Sequence, residues 1–257
     1  MNVLFVNYGD FTSNSLNHIS VFANRLTLLG HSCVVAVPEK PETIAVIAEP
    51  LFTPATFERL LGRTPVFPNR RGADLIHAWT PRENVREFTL AYLLQNPNAT
   101  LIIHLEDNEV FLMESFACES IDKLRLRSDE ELAARLSPKL SHPIRFLKFL
   151  RVAHAVTYIT DRLREFVPEG KPVHRLLPGI NADLYRPRLI DTALRQQMGV
   201  QPDERLIVFT GSTTFANLSD VRSLLLAVRL INERGTLCKL VRTGINPPEL
   251  NDQIAEL

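Results

Sequence analysis

Short apolar runs alternate with longer amphipathic segments along most of this chain. The segment NHISVFANRLTLLG has apolar residues at helical spacing and ends at Gly30, a residue that commonly ends helices. ENVREFTLAYLLQ, EELAARL and PIRFLKFLRVA show the same helical pattern. The strand-length apolar runs are VLFVN, CVVAV, ADLIHAW, TLIIHL, AVTYIT and VHRLL. This alternation predicts an α/β fold, a Rossmann-like doubly wound parallel sheet with helices on both faces.

The pattern also predicts two domains. Six strands with their helices take the chain to about Leu177, and we assign residues 1–180 to the first domain. The segment PGINADLYRPR is rich in turn-forming residues and predicts a connection. A strand (RLIVFTG), a helix (SDVRSLLLAVRLINERG, with Ser219 or Asp220 as the expected cap) and a strand (LCKLVRTG) follow it. Because few residues remain after Gly244, we expect residues 181–257 to form an incomplete second Rossmann-like domain.

Composition narrows the class of protein. Of the 257 residues, 45% are hydrophobic and 23% charged, which is ordinary for a globular protein. The 29 basic and 29 acidic residues give a formal net charge of zero, so we expect no general nucleic-acid binding. The three cysteines lack the spacing of metal ligands and fit a reducing compartment. We find no signal peptide pattern and no apolar run of about 18 residues, and we therefore expect a cytoplasmic protein.

Ligands of parallel α/β sheets bind beyond the carboxyl ends of the strands. Polar loops follow four of the predicted strands, and they are NYGDFTSNS, HAWTP, HLEDNE and TGSTTFANLSD. The first loop carries Gly9, Asn14 and Ser15 immediately before a helix. A helix N-terminus can bind an anion, although the loop is neither a P-loop nor a GxGxxG motif and a ligand-free capped loop is equally compatible.

The densest set of chemical groups is HLEDNE, which holds His104, Glu106, Asp107 and Glu109. Three interpretations stay open for it: a metal site, an acid or hydrogen-bonding site, and acids that begin the next helix. A metal site is the least favoured, because no second cluster would complete the ligand shell. His77 at a neighbouring strand end raises the prospect of a shared crevice.

Two further features each allow a functional and an ordinary structural interpretation. Trp79, the only tryptophan, is placed either to stack on a sugar or to fill the core. The helix around Arg145, Lys148 and Arg151 has basic residues at three-residue steps. It is placed either to lie on an anionic membrane surface or to form the solvated face of a packed helix.

Four stretches together resemble the family-4 retaining glycosyltransferases of the GT-B fold. RLTLLGHSCVVAVPE resembles the family's first helix, Gly-His turn and second strand, and ADLIHAWTP resembles its third strand. LLPGINADLYRP resembles the interdomain signature, and LIVFTGSTTFANLSDVRSLLLAV resembles the start of the donor-binding domain. The resemblance covers essentially the whole chain in order.

The resemblance implies transfer of a sugar from a nucleotide-diphosphate sugar to a glycan, lipid or small-molecule acceptor, without a cofactor or an obligatory metal. Catalysis then relies on stabilising the departing diphosphate. It places His104 nearest the reacting sugar and Gly211, Ser212 and Asn217 in the donor diphosphate loop. The remaining candidates line the acceptor side of the cleft, and they are Gly9, Asn14, Ser15, His77, Glu106, Asp107 and Glu109.

This chain also departs from the family pattern. Ser212 and Asn217 stand where the family commonly has an Arg and a Lys, and the Glu-x7-Glu segment that holds the donor is not reached. We therefore expect this chain alone to have little or no transferase activity. The alternative is a non-catalytic module, derived from a glycosyltransferase, that binds a glycan or a partner. A sugar-nucleotide epimerase with HLEDNE acid/base groups is a third hypothesis.

Overall fold

In a computed structural model the chain forms two compact units, Met1–Tyr185 and Arg186–Leu257, and each is described by itself. The structure describes residues 1–62, 64–182, 184–214, 216–244 and 248. The C-terminal part of the predicted second domain, residues 245–247 and 249–257, lies outside the described residues.

The first unit is built around seven strands with helices between them. Its strands are β1 (Asn2–Asn7), β2 (Ser32–Val37), β3 (Thr53–Thr56), β4 (Leu75–Trp79), β5 (Thr100–Leu105), β6 (Ala155–Tyr158) and β7 (Val173–Arg175). Its α-helices are α1 (Ser15–Leu28), α2 (Phe57–Leu61), α3 (Glu83–Gln95), α4 (Glu109–Ala117), α5 (Ile121–Leu124), α6 (Asp129–Ala133) and α7 (Arg145–Val152). Two 3₁₀ helices, Pro41–Val46 and Asp161–Phe166, complete it.

All seven strands are parallel and follow the order β3-β2-β1-β4-β5-β6-β7. The chain winds outward from β1 to β3 and then returns to the other side of β1 to build β4 to β7. The order therefore reverses between β1 and β4, which is the place where doubly wound sheets bind ligands. The predicted doubly wound α/β fold is confirmed.

One strand was not predicted. β3 reads TPAT, and it pairs with β2 at the edge of the sheet. Its sequence carries no apolar run because an edge strand is only partly covered, and Pro54 is tolerated at an edge. The prediction of six strands was therefore wrong by one, and HLEDNE begins at the end of the fifth strand along the chain rather than the fourth.

The sheet is buried on both faces, because successive side chains of a strand point to opposite sides. On β1, Leu4 and Val6 join a large core that α3, α4 and α7 cover. Val3 and Phe5 join a second core, which buries the apolar face of α1. This explains why the central strands read as continuous apolar runs.

The second unit, in the part that the structure describes, contains α8 (Thr192–Gln197), β8 (Arg205–Phe209), α9 (Leu218–Glu233) and β9 (Cys238–Arg242). β8 and β9 pair in parallel, as a βαβ unit requires. The expected helix caps Ser219 and Asp220 were wrong. They lie inside the first turn of α9, whose N-cap position is occupied by Asn217. No helix within the described ranges is long and apolar enough to span a bilayer.

Candidate active site

The sheet register brings four strand ends into one row. Asn7 pairs with Trp79, Trp79 with His104, and His104 with Thr157. The loops that follow β1, β4 and β5 therefore leave the sheet side by side, next to the point where the strand order reverses. HLEDNE belongs to this edge, together with the loop after β1 that sequence analysis also selected.

Two histidines lie beside one hydroxyl group here: His104 of this row, and His77, which lies two residues before the end of β4. His104 Nδ1 lies 2.9 Å from Thr157 Oγ1, and His77 Nε2 lies 3.2 Å from the same oxygen. The His104 ring packs against Trp79 with 4.0 Å between ring centroids. His104 and Trp79 are each only 1% exposed, so both side chains are deeply buried at the strand ends.

Burial keeps both histidines neutral. Desolvation lowers the pKa of His77 to about 3. Desolvation, with smaller contributions from His77 and His18, lowers the pKa of His104 to about 2. Each ring is then uncharged near neutral pH and offers one donor and one acceptor nitrogen.

Glu106 joins the loop after β5 to α1. Its carboxylate accepts a hydrogen bond from the Ser15 hydroxyl, and its Oε1 lies 3.8 Å from His18 Nε2. His18 Nδ1 is 3.2 Å from the carbonyl oxygen of Gly179. Burial raises the pKa of Glu106, while the Ser15 hydrogen bond opposes that shift. The side chains of Ser15, Glu106 and His18 form a partly accessible cluster, with His18 24% and Glu106 12% exposed.

Arg82 ties together three loops of the same edge. Its Nη2 donates to Asp107 Oδ2 at 2.8 Å, and its guanidinium lies 3.7 Å from the centre of the Tyr8 ring. Its Nε lies 3.5 Å from Glu109 Oε1. Glu109 accepts a hydrogen bond from the Ser141 hydroxyl at 2.8 Å, and burial raises the pKa of its carboxyl group. Asp107 is the exposed acid of the group, at 44%.

The helix-capping interpretation of HLEDNE holds for part of the segment. The side chain of Asn108 caps α4 by accepting a hydrogen bond from Phe111 N at 3.0 Å. Glu109 begins the helix but points into the buried cluster around Arg82. Within the described ranges, no three His, Cys, Asp or Glu side chains are grouped so as to hold a metal ion.

The loop after β1 is held by its own hydrogen bonds. The Asn7 side-chain amide donates to the carbonyl of Gly9 at 2.8 Å and to the Ser13 hydroxyl at 2.7 Å. A Cβ on Gly9 would lie 3.0 Å from Ser13 Cβ, which explains the glycine. Asn14 occupies the exposed N-cap position of α1 and makes no side-chain capping hydrogen bond. It is thus presented to solvent beside Ser15.

In the second unit, Gly211, Ser212 and Asn217 lie in the loop between β8 and α9. Asn217 Oδ1 accepts from Thr214 N at 2.7 Å, and its amide donates to the carbonyl of Ser212 at 3.0 Å. The Asn217 side chain therefore closes the loop. Arg242, at the end of β9, donates to the hydroxyl of Thr213 and places a guanidinium beside this loop.

The basic helix α7 has its apolar residues in the core. Phe146, Phe149 and Leu150 are buried, and Arg145 pairs with Glu83 at 2.8 Å. Lys148 and Arg151 remain exposed. The apolar face of this helix is therefore occupied by the protein itself, and membrane contact stays a prediction that rests on its basic residues.

Sequence reasoning missed His18, Arg82, Ser141 and Thr157. His18 lies one helical turn beyond Ser15, and Arg82 follows the HAWTP strand end, so both were close to selected motifs. Thr157 and Ser141 gave no local signal. Their roles depend on strand register and on a loop contact across 32 residues.

Comparison with known proteins bears on this arrangement. No family model and no curated protein matches the sequence. Solved structures do match. The catalytic domain of starch synthase IV from Arabidopsis thaliana, bound to ADP and acarbose, is 14% identical with a TM-score of 0.57 over 100% of this chain and 71% of that chain. The fold is that of the GT-B glycosyltransferases.

Two further structures agree with this assignment. WaaG, a glycosyltransferase involved in lipopolysaccharide biosynthesis, is 17% identical with a TM-score of 0.57 over 99% of this chain and 66% of that chain. UGT89C1 from Arabidopsis thaliana, complexed with UDP-L-rhamnose, is 13% identical with a TM-score of 0.51 over 95% of this chain and 69% of that chain. At these identities the likeness shows the fold and leaves residue roles to be argued from geometry.

Proposed function

We propose that this chain serves sugar transfer from a nucleotide-diphosphate sugar to a hydroxyl group of an acceptor, with retention at the anomeric carbon. The observation that carries the proposal is the pair of acidic clusters at the edge where the strand order reverses, Ser15–Glu106–His18 and Arg82–Asp107–Glu109. The GT-B fold supports it, as do the nucleotides and nucleotide sugars named in the solved structures with this fold.

The first unit is proposed to hold the acceptor. Asp107 and Glu106 offer carboxylate oxygens, which are strong acceptors for sugar hydroxyl groups. Arg82 fixes the Asp107 carboxylate, and Ser15 fixes that of Glu106. Because these acids are held by protein partners before any ligand arrives, little ordering is left for acceptor binding.

The second unit is proposed to hold the donor diphosphate. Gly211 and Ser212 contribute backbone N–H groups, and the N-terminus of the 16-residue helix α9 adds its positive dipole end. The cations that the family commonly has in this loop are replaced here by Ser212 and Asn217, and we propose that Arg242 supplies positive charge from the neighbouring strand end.

The reaction needs no nucleophile from the protein. The bond from the anomeric carbon to the diphosphate oxygen breaks, and the acceptor oxygen bonds to the same carbon. The acceptor proton leaves with the diphosphate. Backbone donors and a cation beside the diphosphate lower the barrier because they stabilise charge that develops only as the bond breaks.

Thermal unfolding against a panel of nucleoside mono- and diphosphates tests the donor half. We expect at least one nucleoside diphosphate to raise the Tm, and Arg242→Gln to weaken that binding about tenfold. Arg229→Gln is the matched control, because Arg229 forms an exposed pair with Glu233 on α9. Binding that both variants leave unchanged would remove Arg242 from the donor site.

Incubation with nucleotide sugars and an array of glycans tests the acceptor half. Because this chain alone is expected to have little or no activity, any transfer should be slow, and the transferred sugar should keep its anomeric configuration. An acceptor that binds with no transfer at all would favour the non-catalytic module instead. Epimerised donor in the absence of acceptor would favour acid/base chemistry at Glu106 and His18.

A further inference from the structure

One hydroxyl group lies between the two buried histidines of the site. Thr157 Oγ1 is 2.9 Å from His104 Nδ1 and 3.2 Å from His77 Nε2. All three residues belong to adjacent strands β4, β5 and β6, so the sheet itself fixes these distances. His104 is 1% exposed and His77 and Thr157 are each 9% exposed, which leaves little water to compete for the hydrogen bonds.

The number of available protons limits the hydrogen-bond directions within the triad of His77, Thr157 and His104. A threonine hydroxyl has one proton, and a neutral imidazole has one N–H and one bare nitrogen. If the hydroxyl donates to one ring, the other ring must donate to the hydroxyl. The tautomers of His77 and His104 are therefore linked through Thr157. A mismatch would place two lone pairs or two protons against each other in a buried site.

The distances favour one direction. Hydroxyl donors make shorter hydrogen bonds than N–H donors. In the 2.9 Å contact the Thr157 hydroxyl then donates a hydrogen bond to His104 Nδ1. In the 3.2 Å contact His77 Nε2–H donates a hydrogen bond to Thr157 Oγ1. His104 is left with its own proton on Nε2.

We propose that Thr157 is a positioning residue that holds His104 in the Nε2–H tautomer, with His77 behind it as the donor to Thr157. One face of the His104 ring is covered by Trp79, with 4.0 Å between the ring centroids, and Nδ1 is taken by Thr157. Among the residues that the structure describes, none is hydrogen-bonded to Nε2 of His104.

This arrangement defines the ligand atom that His104 recognises. A neutral ring with Nε2–H presents a hydrogen-bond donor, so its partner is an oxygen with a free lone pair. A sugar hydroxyl or ring oxygen fits, and an ammonium group does not. This consequence for the ligand rests on the proposed function. The linked tautomers rest only on the triad.

Long-range ¹H–¹⁵N NMR of the full chain labelled at histidine distinguishes the protonated nitrogen of each ring. We expect both His77 and His104 to be protonated at Nε2 near neutral pH. Thr157→Val removes the hydroxyl at nearly constant shape, and we expect His104 to move to the Nδ1–H form or to a mixture. Thr157→Ser keeps the hydroxyl and should preserve the original pattern.

Two results would overturn the proposal: a His104 ring protonated at Nδ1 in the unaltered chain, or an unchanged His104 tautomer in folded Thr157→Val. The first result can be obtained even if the valine variant does not fold. Since the measurement needs no substrate, it remains decisive if no sugar transfer is ever found. With an active protein, kcat/KM should fall at least tenfold in Thr157→Val and recover in Thr157→Ser.

Discussion

The Nε of Arg82 lies 3.5 Å from Oε1 of Glu109, and the two side chains are only 8% and 3% exposed. The same arginine binds Asp107 and covers Tyr8, so one cation neutralises a buried acid while holding an accessible one. Removing one partner of such a buried pair leaves the charge of the other without compensation.

Arg82→Met should destabilise the first unit by about 3 to 5 kcal/mol, since Glu109 is left buried without its cation. The double variant Arg82→Met/Glu109→Gln should recover part of that loss. Urea unfolding followed by circular dichroism measures both. Arg125→Met is the control, because its pair with the 88% exposed Asp122 should contribute little. Equal effects at Arg82 and Arg125 would contradict the buried pair.

The loss of stability caused by Arg82→Met should also depend on pH. Burial raises the pKa of Glu109 above its unfolded value, and removing Arg82 raises it further. A carboxyl with a raised folded pKa contributes stability that is present below the unfolded pKa and lost as pH rises through the folded pKa. The stability difference from the unaltered chain should therefore be smaller at about pH 5 than at about pH 8. A constant difference across that range would argue against a shifted Glu109.

The buried histidines predict a second pH effect, of opposite sign. In the folded chain His77 and His104 take up protons only near pH 3 and pH 2, whereas unfolded histidine does so near its model value of 6.5. The unfolded state therefore binds more protons as pH falls below about 6.5, and stability is lost on acidification by up to about 1.4 kcal/mol per pH unit for each ring.

His77→Asn should reduce this acid-side slope of the free energy of unfolding, whatever its effect at neutral pH. His174→Asn is the matched control, because His174 is exposed on β7. Denaturant titrations at a series of pH values between about 4 and 7.5 give both slopes. If the His77 variant kept the full slope, a protonated His77 in the folded chain would be indicated.

Glu106→Gln keeps the shape of the side chain but removes the charge beside His18 and Ser15. We expect kcat/KM for sugar transfer to fall about 10- to 100-fold, the range for loss of a charged hydrogen bond. Glu87→Gln, at a residue 61% exposed on α3, should leave kcat/KM unchanged. Full activity of the Glu106 variant would assign that carboxylate a structural role only.

Two glycines of the second unit should differ sharply in how well they tolerate substitution by alanine. A Cβ at Gly244 would lie 2.1 Å from the backbone oxygen of Gly211, whereas a Cβ at Gly211 would lie 2.8 Å from the Phe209 ring. A ring can rotate and a backbone cannot, so Gly244→Ala should cost about 2 to 3 kcal/mol and Gly211→Ala about 1. Hydrogen exchange of the β8 and β9 amides measures both, and the reverse order would contradict the close backbone approach.

Much of the first unit was readable from sequence because its central strands are buried on both faces and its helices on one. That burial forces continuous apolar runs in the strands and a helical period between them. The same reasoning placed HLEDNE and the loop after β1 at the carboxyl edge. It failed for β3, whose edge position in the sheet imposes no such pattern on TPAT.

The sequence by itself determined the α/β class, the order of the central strands and helices, and the polar loops at the carboxyl ends of those strands. Only the tertiary structure decided what each polar residue there does. It set Thr157 between two histidines, buried Glu109 against Arg82 and left Asp107 in solvent. These roles follow from strand register and contacts between residues distant in the chain, and side-chain pKa values follow burial; neither leaves a local pattern in the sequence.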